Sequence, residues 1–81
     1  MIEFKKLAEK ILLNQYEVIP DYIKITTGVL DEYIATAIKT HGNYTEVFII
    51  RDLSYKKHNS VSVIQYELDY RGVRIIPALR P

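Results

Sequence analysis

Side chains that could act as acids, bases or nucleophiles are scattered along this chain and form no catalytic motif. The two histidines, His41 and His58, lie far apart and there is no cysteine, so the ligand spacing typical of a metal site is missing. Glu67 and Asp69 stand two positions apart on a predicted strand, a pattern typical of a solvent-facing side. The serines lack a nucleophile motif and the glycines form no phosphate-binding loop. The sequence therefore predicts no catalytic residue, no metal and no cofactor, and we do not expect an enzyme.

Length and composition indicate one small globular domain. The chain has 81 residues, of which 48% are hydrophobic, and a formal net charge of +1. This charge is far from the basic balance of a strong nucleic-acid binder. A chain without cysteine needs no oxidising compartment, and its apolar runs are too short to cross a membrane. We expect a cytoplasmic protein with no membrane partner.

Two segments have the apolar periodicity of amphipathic helices. Residues 3–16 place Phe4, Leu7, Ala8, Ile11 and Leu12 on one face. In residues 29–41 the apolar positions recur in steps of one, three and four, and Gly42 follows as the left-handed residue that commonly ends a helix. The apolar positions of this second segment are Val29, Leu30, Tyr33, Ile34, Ala37 and Ile38.

The segment 20–27 between these helices has two interpretations. Proline followed by an acid, Pro20-Asp21, is a good helix opening. The next residues, 23–27, are rich in β-branched side chains and alternate, which is typical of a strand. We expect a short helix, because Gly28 then turns between two helices. If residues 22–26 are instead extended, that pair of helices does not exist.

The second half of the chain changes to strand-forming residues. Aromatic and β-branched side chains predict strands over 44–52, 61–70 and 73–76. Within 61–70 the apolar side changes at Val63-Ile64, so a bulge or a strong bend is expected there. The predicted fold class is α+β, with N-terminal helices over 3–16, 20–27 and 29–41 followed by an antiparallel two- or three-stranded sheet.

This layout resembles a winged helix-turn-helix domain. The resemblance is carried by Thr27-Gly28-Val29 and then by Ile34, Ala37 and Ile38, which match the turn glycine and the apolar positions that hold the second helix. Ile23 matches the apolar anchor of the preceding helix, and residues 44–70 match the wing. Asp31 and Glu32 fall in the first turn of the second helix, where acids complement the helix dipole.

The resemblance implies double-stranded DNA as the partner and transcriptional regulation by a homodimer as the function. Hydroxyl groups would meet base edges and cations would meet phosphates. The residues that would contact DNA are Thr36, Lys39, Thr40, Arg51, Lys56, Lys57 and His58.

An alternative is a small protein-interaction module with no DNA binding and no catalysis. Seven tyrosines are more than so small a domain can bury, and tyrosine is favoured at interfaces. The strand face bearing Ile64, Tyr66, Leu68 and Tyr70 competes with Phe48 and Ile50 for core space. The strand 73–76 offers an edge that could pair with a second copy. Phage and viral inhibitors or adaptors that bind a host protein have this character.

Overall fold

The chain folds with an N-terminal helix packed on one face of an antiparallel sheet. The computed structural model describes residues 2–54 and 60–76. Within these ranges lie one α-helix and five strands, so the predicted fold class of several helices and a two- or three-stranded sheet is wrong. The elements are α1 (Ile2–Tyr16), β1 (Tyr22–Thr27), β2 (Tyr33–Thr40), β3 (Thr45–Asp52), β4 (Val61–Asp69) and β5 (Gly72–Ile76).

Helix α1 forms where its apolar periodicity predicts it. Its buried residues, Phe4, Ala8, Ile11 and Leu12, recur in steps of four, three and one and therefore share one face. The helix ends because Glu17 takes a left-handed conformation with φ of 56°. The following N–H, of Val18, donates to the carbonyl of Leu12 at 3.0 Å, which satisfies an acceptor at the helix end.

The predicted helices over 20–27 and 29–41 are wrong. Residues 22–27 are extended and pair with β2 from Tyr22↔Ile38 to Thr27↔Tyr33, so the crossing pair of helices that the helix-turn-helix resemblance required does not exist. The resemblance is therefore corrected to a helix-on-sheet arrangement. Gly42 ends no helix; it lies in the turn between β2 and β3, where the His41 N–H donates to the Tyr44 carbonyl at 2.9 Å.

The helical pattern of residues 29–41 has a simple cause in the sheet. Adjacent pairs, Tyr33-Ile34 and Ala37-Ile38, each place one apolar residue on each side of β2, since successive side chains alternate across a strand. Two such pairs four residues apart reproduce the spacing of a helix face. A strand with one polar side would have shown plain alternation instead.

The sheet is a meander in the order β1-β2-β3-β4-β5, with every neighbouring pair antiparallel. The last three strands lie within one residue of their predicted positions. Pairing between β3 and β4 runs without interruption from Thr45↔Leu68 to Asp52↔Val61, so the bulge predicted at Val63-Ile64 is wrong. The apolar side changes there because β4 contributes apolar residues to both faces of the sheet.

The core lies between α1 and one face of the sheet. Phe48 and Ile50 of β3 and the small Ala35 and Ala37 of β2 are completely buried. Two aromatic contacts join the layers: Phe4 stacks on Tyr33 with ring centroids 5.8 Å apart, and Tyr16 and Phe48 form an edge-to-face contact with ring centroids 5.2 Å apart. The alanines of β2 leave room for the helix, which fixes α1 over β2 and its neighbours.

Candidate protein-interaction surface

The sheet has two faces of different composition. We call the side that packs on α1 the helix face and the opposite side the open face. The strand pairing aligns open-face side chains in rows that run across the sheet. One row crosses all five strands and is apolar throughout; this apolar row consists of Tyr22, Ile38, Val47, Tyr66 and Ile75, which pair in series.

The rows on either side extend the apolar surface over part of their length; Lys24 and Thr36 complete one row, and Thr40 and Thr45 complete the other. Ile49 pairs with Ile64 on one side of the apolar row, and Leu68 pairs with Val73 on the other. Four of these open-face residues, Tyr22, Leu68, Val73 and Ile75, are between 44% and 65% exposed. In the described ranges α1 is the only helix or strand outside the sheet, and it lies on the other face. An antiparallel sheet that is open to solvent on one side is normally polar there, so the apolar row sets this side apart.

An ion pair between the buried Glu32 and the partly exposed Arg51 closes one end of the open face. The carboxylate of Glu32 accepts hydrogen bonds from the Arg51 guanidinium and from the Leu30 N–H, the latter at 3.0 Å. The Glu32 side chain is 2% exposed. The hydrogen bond from Arg51, followed by those from backbone N–H groups, lowers the pKa of Glu32 below its usual value although burial opposes this. The pair stays charged at neutral pH and keeps the ends of β2 and β3 together.

The same carboxylate shapes the turn between β1 and β2. Gly28 donates its N–H to the Glu32 carbonyl at 2.8 Å, and Asp31, with φ of 59°, donates to the Gly28 carbonyl at 3.0 Å. A Cβ atom at Gly28 would collide with the Glu32 carboxyl group. The turn therefore places Val29 and Leu30 at its tip, where Val29 is 98% exposed.

The part of the helix face that α1 leaves uncovered is charged. One row there contains Lys39, Glu46, Glu67 and Arg74, paired in series across β2 to β5. Glu67 accepts a hydrogen bond from Arg74, and this raises the pKa of Arg74. Glu46 lies 2.6 Å from the Nε2 atom of His41 and accepts a hydrogen bond from the Gln65 amide at 2.9 Å. These pairs give the uncovered region a hydrated surface, in contrast to the open face.

Several charged side chains of the described residues form ion pairs, among them Lys39 with Asp21 and Arg74 with Glu67. Among residues 2–54 and 60–76, no three His, Cys, Asp or Glu side chains are placed to hold a metal ion. Asp21 accepts a hydrogen bond from the Thr40 N–H at 2.8 Å, which lowers the pKa of Asp21, and Lys39 is 3.4 Å away. The arrangement links the start of β1 to the end of β2.

The residues predicted to contact DNA do not lie on one surface. Thr36, Thr40 and Arg51 belong to the open face, whereas Lys39 lies on the helix face beside Asp21. Arg51 is paired with Glu32. Lys56, Lys57 and His58 lie outside the described residues. DNA contact by any of these side chains stays a prediction.

The strand face singled out for the alternative, a protein-interaction module, is part of the open face. Ile64, Tyr66 and Leu68 lie there, on the opposite side of the sheet from Phe48 and Ile50, so the two sets do not compete for core space. Sequence reasoning missed that β3 also supplies the open face with Val47 and Ile49. The signal was present in the run Val47–Ile50, since four consecutive apolar residues in a strand make both of its sides apolar.

No helix among the described residues is long and apolar enough to cross a membrane. A scan against protein-family models and searches of curated proteins and of solved structures find no match to this chain. The candidate site is therefore defined by the geometry of the sheet itself.

Proposed function

We propose that this protein is a non-catalytic protein-interaction module that binds through the open face of its sheet. The observation that carries the proposal is the apolar row, which crosses five strands on the side opposite α1. Exposed contiguous apolar patches of more than a few hundred Å² mark interaction sites.

The size of the open face suits a protein partner. Five strands spaced by about 4.8 Å, with about 3.4 Å per residue along each strand, give a face of roughly 600 Å². One side of a standard protein–protein interface buries about 800 Å². The face is too broad and flat for a small ligand, which binds in a concave pocket.

The charges of the open face also favour a protein over DNA. Its cations are Lys24 on the edge strand β1 and Arg51, which is already paired with Glu32. Binding to the DNA backbone requires clustered cations that neutralise several phosphates. An apolar centre with a polar border is instead the anatomy of a protein interface.

We also propose that the protein is located in the cytoplasm. This proposal rests only on the absence of cysteine from the sequence.

Affinity capture with matched variants tests the proposal. Val47→Lys places a charge in the centre of the apolar row, whereas Leu13→Lys makes the same kind of change at an exposed position of α1. Tagged wild type, Val47→Lys and Leu13→Lys are expressed in the native host, treated with nuclease and purified, and circular dichroism checks that each variant folds. We expect wild type and Leu13→Lys to retain a protein partner, and Val47→Lys to lose at least about nine-tenths of it.

A DNA-binding assay tests the alternative function, which is binding to double-stranded DNA. Fluorescence anisotropy with mixed-sequence duplex DNA is measured from 50 to 300 mM salt. Binding through phosphates weakens steeply over this range. Salt-dependent DNA binding, together with equal protein capture by Val47→Lys and Leu13→Lys, would overturn the proposal.

A further inference from the structure

We infer that the occupant of the open face is a second copy of this chain, with the two sheets packed face to face about a two-fold axis that runs along the apolar row. This inference rests on the proposed function and specifies its partner. It is carried by the shape, the row pattern and the charge distribution of the open face.

The width of the open face favours another sheet as its occupant. A helix is about 10 Å wide, whereas five strands span about 24 Å. On the helix face, a single helix is too narrow to cover all five strands. Helix α1 covers the apolar part, and the adjacent row of Lys39, Glu46, Glu67 and Arg74 is charged. The apolar row of the open face instead extends to both edge strands. A second five-stranded sheet, packed about 10 Å away, matches that width.

The row pattern is self-complementary about the proposed axis. Rotation about the apolar row places each of its residues over the same residue of the other copy, as an isologous contact requires. The neighbouring rows exchange, so Ile64 of one copy lies over Leu68 of the other. In the same way Ile49 lies over Thr45 on β3, and Thr36 lies over Thr40 on β2. Apolar side chains therefore meet along the axis and at β4, and threonine side chains lie beside them on β2 and β3.

The axis also keeps like charges apart. Arg51 lies two rows from the apolar row, on the same side as the row that contains Lys24. Two rows correspond to about 14 Å, so the rotation carries the two Arg51 side chains to opposite ends, about 27 Å apart. This separation exceeds the screening length of about 8 Å at physiological salt. The charges then lie at the border, where water can hydrate them.

The area is sufficient for a specific dimer. Two faces of roughly 600 Å² bury about 1,200 Å² together, which is the lower bound of standard interfaces. We therefore expect a dimer that forms in the micromolar range and dissociates on dilution.

Sedimentation equilibrium and native mass measurement test the inference over about 1–500 µM protein, with the same matched variants. We expect wild type and Leu13→Lys to dimerise with dissociation constants within about threefold of each other. Val47→Lys should weaken the dimer at least about 100-fold, because each copy would bury an unpaired charge.

Cross-linking tests the axis with gentler substitutions. The chain contains no cysteine, so a single introduced thiol reports its own position. Val47→Cys lies on the axis and Thr26→Cys lies two rows away on edge strand β1. A bismaleimide with a spacer of about 8–10 Å, close to the separation of packed sheets, should join two copies of Val47→Cys covalently and leave the Thr26→Cys dimer without a cross-link. Equal cross-linking of both variants would overturn the proposed axis.

The outcomes separate this inference from the proposed function. A wild-type monomer up to 500 µM that captures a different protein, lost in Val47→Lys, overturns the inference and leaves the proposed function intact. A dimer that persists in Val47→Lys places the contact elsewhere, for instance at the β5 edge, and also overturns the inference. A monomer whose capture is unaffected by Val47→Lys overturns both.

Discussion

The carboxylate of Glu32 occupies space that a side chain at residue 28 would otherwise fill. Had residues 29–41 formed the predicted helix, Glu32 would have lain in its first turn, exposed to solvent and interacting with the helix dipole. In the sheet it is buried, holds Arg51 and caps the Leu30 N–H. Gly28 is thus needed for the close approach of a carboxylate. Residues 28–32 alone do not predict the contact between Gly28 and the Glu32 carboxylate, because pairing between β2 and β3 brings Arg51 to Glu32.

Gly28→Ala tests this close approach. In the wild-type background, the methyl group added by Gly28→Ala displaces the Glu32 carboxylate, and we expect a loss of about 1–3 kcal/mol in the free energy of unfolding. In a Glu32→Ala background the space is empty and the backbone of residue 28 is not left-handed, so the same change should be neutral or stabilising by up to about 1 kcal/mol. Urea unfolding of the four proteins measures this coupling. Additive effects would contradict the proposed contact.

The lowered pKa of Glu32 predicts the direction of the pH dependence of stability. Because the folded pKa lies below the unfolded one, the unfolded chain binds more protons between the two values. The contribution of Glu32 is therefore complete above its ordinary pKa of about 4.3 and is lost as pH falls through the lower folded pKa. Asp21 and Asp69 have lowered pKa values as well, from the Thr40 N–H and from the Arg71 side chain respectively, and contribute in the same sense.

Urea unfolding at pH 7 and near pH 3 measures this dependence. We expect wild type to lose more stability on acidification than Glu32→Gln, which has no proton to bind at this position. Lys24→Gln, another open-face change that removes a charge, is the control and should keep the wild-type dependence. An identical pH dependence in wild type and Glu32→Gln would show that the Glu32–Arg51 pair does not stabilise the fold.

At the scale of elements, the sequence predicts α1 and the last three strands because each has a local pattern that tertiary contacts leave unchanged. It misreads β2, since the pairs Tyr33-Ile34 and Ala37-Ile38 imitate a helix face. It misreads β1 because Pro20-Asp21 is a good helix opening and Gly28 then fits a turn between two helices. The β-branched side chains at alternate positions of β2, Ile34, Thr36, Ile38 and Thr40, were the opposing signal. The apolar row could not be read from the sequence at all, because it depends on the pairing register of five strands.

The packing of α1 predicts opposite results for two adjacent leucines. Leu12 is completely buried against the sheet, whereas Leu13 is 51% exposed. Leu12→Ala should lower the free energy of unfolding by about 2–5 kcal/mol. Leu13→Ala should change it by less than about 0.5 kcal/mol, as is usual for surface substitutions. Urea unfolding compares the two, and similar losses would mean that α1 does not pack through the Phe4–Leu12 face.

At the scale of the whole molecule, the two faces of the sheet differ in how their apolar residues are covered. On the helix face, α1 covers the apolar residues and ion pairs occupy the remainder. On the open face, the chain supplies apolar residues from all five strands and leaves them exposed or half-buried. A small domain gains little stability from a single core, so an apolar open face contributes to stability when a second sheet covers it.

This coupling of assembly and stability predicts a concentration-dependent melting temperature. A contact made only by folded chains stabilises them by mass action, so the Tm of wild type should rise by roughly 5–10 °C between 5 and 500 µM. Differential scanning calorimetry at both concentrations measures the rise, with Leu13→Lys behaving as wild type. Val47→Lys should melt at one temperature throughout, because its chains do not associate and its unfolding is unimolecular. A wild-type Tm independent of concentration would mean that the second copy adds nothing to the stability of the sheet.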